Sequence, residues 1–165
     1  MNDANHWNAV RYTPARRDGH VESYFLKLNS PDGSRALWLK GTILARPDAP
    51  PVAEAWAIAF RRDGRHVACK EVVPLDAARF DASGLGVEVA SLRLSPGATA
   101  GSVSRGSERV AWDLSVTDPG PPLAPFPLPS MYTGAFPKSK LVSPYPDARF
   151  DGWYEVDGEI GRAHV

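Results

Sequence analysis

The chain has 165 residues, with 19 Lys and Arg against 19 Asp and Glu, so its formal net charge is zero. No basic excess points to nucleic acid, and no acidic tail points to a charged partner. A hydrophobic content of 43% is that of a globular chain long enough for one domain, and 14 glycines with 16 prolines favour many turns over long helices.

Residues 1–19, beginning MNDANHWNAVRYTPARR, read as an N-terminal arm. They contain no apolar stretch, so neither a signal peptide nor a membrane span is expected, and a cytoplasmic location is the default. From residue 20 the dominant signal is period-two alternation broken by turn residues. It predicts strands at 20–29, 35–45, 52–61, 65–74, 86–95, 98–105, 108–117, 139–143 and 149–157, with one short helix at 74–81, PLDAARFD. So regular a meander predicts an antiparallel sandwich or barrel rather than βαβ units.

Residues 119–130, PGPPLAPFPLPS, carry six prolines, which remove six ladder donors and predict an extended connection. The segment is a strap across a sheet end or, through its PxxP spacings, a ligand for a proline-binding domain. The single cysteine, Cys69, lies in the apolar run HVACKEVV and reads as a buried, inert thiol.

Two hairpins echo each other: ESYFLKL–NSPDGS–RALWLKGT and EAWAIAF–RRDG–RHVACKEV. With a three-residue loop in each, Ser30 faces Ser34, Tyr24 faces Lys40 and Leu26 faces Trp38. In the second, Arg61 faces Arg65 and Trp56 faces Lys70. One face of the first then carries Glu22, Tyr24, Leu26, Leu28, Trp38 and Lys40, and one face of the second carries Glu54, Trp56, Ile58, Phe60, His66 and Lys70. Each set has a Glu diagonal to a Lys and an aromatic ring across from that Lys. The sets line an apolar cavity or form a solvated outer face. The other face of 53–59 is Ala53, Ala55, Ala57 and Ala59. A two-residue Asp-Gly turn would exchange Lys70 for Glu71. Ligand contact is therefore expected of Tyr24, Trp38, Trp56, Phe60, Lys40 and Lys70.

Phosphate-loop, dinucleotide, HExxH and GxSxG motifs are absent from the sequence. The four histidines are scattered, so no metal site and no cofactor are expected. Trp112, in RVAWDLSV, alternates with Val110, Leu114 and Val116 and is a core tryptophan or a ligand contact.

The two hairpins together with FPKSKLVSPYPDARFDGWYEVDGE make residues 20–158 resemble the N-terminal part of the bacterial lipocalin-like proteins of the AttH and hydroxyneurosporene synthase group, with tocopherol cyclase more distant. That resemblance implies an all-β fold, an antiparallel lipocalin-like barrel or strongly curved sheet, cut from a protein with two such barrels. It implies a hydrophobic, isoprenoid-type small molecule as partner, bound or else hydrated or cyclised. Hydration or cyclisation wants a proton donor beside an apolar cavity; Glu54, beside Trp56, is the candidate. The alternative is a non-catalytic β-sandwich binding a carbohydrate or a protein.

The chain ends GEIGRAHV. Residues 160–165 can be encoded by ATC GGA AGA GCA CAC GTC, which resembles the start of a common sequencing-library adapter. The domain is thus read as 20–159, with 160–165 a non-native tail; the other reading is an ordinary polar terminus.

Overall fold

The computed structural model describes residues 3–15 and 18–164. It is all-β and antiparallel, built as two successive meanders. Strands β1 (His20–Asn29), β2 (Arg35–Ala45), β3 (Val52–Arg61) and β4 (His66–Pro74) form a four-stranded sheet in that order. The second sheet has seven strands: β5 (Arg79–Phe80), β6 (Val87–Val89), β7 (Leu92–Ser95), β8 (Ala98–Arg105), β9 (Glu108–Thr117), β10 (Arg149–Val156) and β11 (Glu159–His164). The two sheets pack face to face and, among the described residues, do not close into a barrel.

Alternation explains the packing. The inner face of β3 is the alanine row Ala53, Ala55, Ala57 and Ala59, all buried. Such thin side chains let the second sheet come close. At Gly41 the approach is closer still: a Cβ there would lie 2.7 Å from Val87 Cγ1. The gap is filled from the other side by Val87, Val89, Leu92, Leu94, Val103 and Trp112. The Trp112 indole N–H donates to Thr99 Oγ1 at 2.9 Å, which satisfies the polar atom that burial would otherwise strand. Trp112 is thus a core residue. So is Cys69, whose thiol pKa is pushed up by burial, as expected of an inert group. A Glu71 carboxylate oxygen accepts the Ser104 N–H at 2.8 Å and ties β4 to β8.

Four expectations are corrected. The run 86–95 is a hairpin, not one strand: Ala90 takes φ of 51°, turning β6 back onto β7 without a glycine to announce it. Residues 139–143 form no strand; proline-flanked, they make one isolated bridge, Leu123 to Ser143. The helix at 74–81 shrinks to a single 3-10 turn, Leu75–Ala77, followed by β5. Further short turns of helix occur at Asp3–Asn8 and at Ser130–Thr133.

The fourth correction is register. The first hairpin closes with Ser30 on Arg35, so its loop has four residues rather than three. Asp32 causes this: its Oδ1 accepts the Ser30 and Ser34 hydroxyls and the Ser34 N–H, while Gly33 takes φ of 64°. The second hairpin has the expected three-residue loop, and Trp56 faces Lys70. Residues 160–164 pair with β10 as part of β11. Backbone pairing to an open edge needs no particular side chains, so it is indifferent to how those residues are encoded.

Candidate functional site

A one-residue slip moves every side chain of a strand to the opposite face. Tyr24 therefore faces Gly41 and points into the core, away from Lys40. Its hydroxyl donates to Glu22 Oε1 at 2.7 Å; burial, then that hydrogen bond, raises its pKa. The same Glu22 carboxylate accepts the backbone N–H groups of Arg11 and Tyr12 and contacts His20 Nε2 at 2.9 Å. Glu22 and Tyr24 thus fasten the N-terminal arm and are remote in role from the tryptophans.

The other predicted residues do come together, on the outer face of the β1–β4 sheet. One cross-strand row runs Phe25, Lys40, Trp56, Lys70, and the next runs Lys27, Trp38, Ile58, Ala68. Phe60 and His66 pair in the row beyond, their rings 5.3 Å apart. Within these rows ammonium groups and indoles alternate. Lys27 Nζ is 4.8 Å from the Trp38 ring centroid, Lys40 Nζ 4.7 Å from that of Trp56, and Lys70 Nζ 4.8 Å from the same ring. Each contact lies inside the range where a ring quadrupole attracts a cation.

Glu54 completes the arrangement. Its Oε2 accepts the Trp56 indole N–H at 3.0 Å and its Oε1 meets Lys70 Nζ at 3.4 Å. The Glu54 side chain is only 12% exposed and that of Lys70 40%. Trp38 differs: its indole N–H is buried without a hydrogen-bond partner among the described residues. An unsatisfied buried donor costs about 1–3 kcal/mol.

These residues lie on the side of the sheet opposite the packed core, whose interior is filled by the alanine row and the valines of the second sheet. Phe25 is 45% exposed and Val72 50% exposed at the two flanks of this face. Phe25 and Lys27 reach this face because the first hairpin's loop is one residue longer than a three-residue loop, which pairs Phe25 with Lys40 and Lys27 with Trp38. The signal was present: serines two residues on either side of Asp32 favour a carboxylate-stapled longer turn.

The outer face of the seven-stranded sheet has another character. Glu88, Arg93, Asp113, Ser115 and Asp151 are exposed there, with Trp153 among them. Among the described residues no group of three or more His, Cys, Asp or Glu is arranged to hold a metal ion, and no helix is long and apolar enough to cross a membrane. No family model, curated protein or solved structure matches the chain.

Proposed function

We propose that this chain is a binding module for a hydrophobic small molecule, held against the outer face of the β1–β4 sheet. The observation that carries this reading is the contrast between the two outer faces. One carries mostly charged and polar side chains, with apolar surface confined to Trp153 and Ile160 on its β10–β11 pair. The other presents Phe25, Trp38, Trp56, Ile58 and Phe60 in adjacent rows. Contiguous apolar surface of that kind marks an interaction site.

Binding fits this face better than turnover. A hydrating or cyclising enzyme needs a proton donor aimed at the ligand. Both Glu54 oxygens are already engaged, one by Trp56 and one by Lys70. Glu54 then serves to hold Trp56 in place. The lysines add a preference for ligands carrying an oxygen or an anionic end beside the apolar body. The resemblance to the lipocalin-like group supplies the isoprenoid class.

A second reading has a β domain, the second barrel that the resemblance implies, as the partner, packed on the outer face of the seven-stranded sheet instead of a small molecule on the β1–β4 face. Trp153 and Ile160, 42% and 72% exposed, favour it, since they mark apolar surface on the β10–β11 pair. Titration with farnesol, followed by tryptophan emission, tests the first reading. Quenching that Trp56→Ala weakens supports a small-molecule site; no quenching with the parent chain favours the domain.

A further inference from the structure

At the turn end of the sandwich, away from the tryptophan face, a cleft of about 210 Å3 opens between the two sheets. Its floor is apolar and drawn from both layers: Ala59 and Val67 from the first sheet, Val156 from the second. Its rim is charged, with Arg61, Arg65 and Glu159. A volume below the ~300–1,000 Å3 of pockets that enclose drug-sized ligands restricts any occupant to a few-atom apolar chain.

The rim already shows what Arg61 recognises. Its Nη2 pairs with the Glu159 carboxylate. The two partners are unlike in freedom: the Arg61 side chain is 19% exposed, whereas that of Glu159 is 62% exposed. The cation is built into the wall, and the anion reaches in from solvent. Arg35 faces Arg61 across β2 and β3 and donates to the Tyr154 hydroxyl at 3.0 Å. The Glu159 carboxyl is held below the ordinary carboxylate range, chiefly by its hydrogen bond and attraction to Arg61, with Arg65 and Arg35 adding to it. Three guanidiniums therefore favour a carboxylate at this one position. Asp157, also on the lining, is occupied elsewhere, accepting the Arg109 N–H at 2.8 Å.

We propose that this cleft binds a short-chain carboxylate, its head on Arg61 and its alkyl chain against Ala59, Val67 and Val156, with Glu159 as a built-in competitor for the same guanidinium. Planar guanidinium and planar carboxylate match in a two-bond fork, which fixes the ligand head while the apolar floor selects the tail. Glu159, tethered but exposed, keeps affinity low until it swings away.

Equilibrium dialysis with hexanoate on the 165-residue chain is the test, with 1-hexanol as the uncharged comparison. Glu159→Gln should tighten hexanoate binding by about tenfold, equivalent to ~1.4 kcal/mol, and leave hexanol unchanged. Adding Arg61→Lys to that variant should return hexanoate to the parent's weak binding. Amide shifts in the hexanoate-bound Glu159→Gln chain should centre on Val67 and Val156, a readout independent of any change at Arg61. The proposal is overturned if Glu159→Gln binds hexanoate no more tightly than the parent, if hexanol gains equally, or if the shifts centre elsewhere.

Discussion

Lys40 stands directly across from Trp56 on neighbouring strands, with its ammonium 4.7 Å from the indole centroid and 6.0 Å from that of Trp38. One lysine thus serves two rings. Cations over half-buried indoles are worth about 0.5–2 kcal/mol. A double-mutant cycle of Lys40→Met with Trp56→Leu, read by urea unfolding, should give a coupling in that range. Additive effects would mean that the contact contributes nothing.

The close approach of the sheets makes a second prediction. A methyl group on Gly41 would meet Val87 Cγ1 at 2.7 Å. Gly41→Ala should therefore destabilise the chain by about 1–3 kcal/mol, as overpacking does. Val87→Ala in the same chain should recover part of that loss, because it removes the atom being struck. Equal stability of Gly41→Ala and parent would show that the sheets are farther apart.

Much of this fold was legible as alternation, and the misplaced residues of the candidate site trace to one cause. Period two places side chains on faces reliably, but only the loop decides which strand faces meet. Asp63-Gly64 keeps to its simple loop, so Trp56, Lys70 and Glu54 fell where expected. Asp32 captures two serines and lengthens its loop by one residue, and that moved Tyr24 to the core and brought Phe25 and Lys27 to the tryptophans. In VEVASLRL the alternation changes phase at Ala90-Ser91, from Val87 and Val89 to Leu92 and Leu94, and that slip is the signal of the turn, since neither glycine nor proline marks it. The proline-rich 119–130 segment read as a connection, yet the brief α-turn after Pro129 had no periodic signal to betray it.

The same Asp32 provides a pH prediction. Its carboxyl is held down to about 2 by the Ser30 hydroxyl and by the N–H and hydroxyl of Ser34. A depressed carboxyl favours the folded turn above its unfolded value and loses that contribution as pH falls through its folded value. The Asp32 carboxyl should therefore titrate near pH 2 by carbon NMR, and the first hairpin's turn should loosen only as the pH is taken from about 4 down to about 2. Titration at an ordinary value near 4 would show that the turn is not stapled in solution.

Burial and its bond to Glu22 raise the Tyr24 phenol, which gives an opposite dependence at alkaline pH. A phenol raised in the fold stabilises it fully below the unfolded value of about 10 and loses that contribution as pH climbs above it. Tyr24→Phe should flatten the decline in stability above about pH 10. An unchanged decline would place the phenol in contact with solvent.

Farnesol titration of tryptophan emission in parent and Trp56→Ala chains decides whether the tryptophan–lysine face of the β1–β4 sheet takes an apolar ligand. Quenching should saturate in the parent, and binding should weaken by about 1–3 kcal/mol in the variant, the usual loss for a large apolar contact. Glu54→Gln, which keeps an acceptor for the Trp56 indole, should bind nearly as the parent does. Quenching of equal strength and affinity in Trp56→Ala, from the remaining tryptophans, would contradict binding at that face.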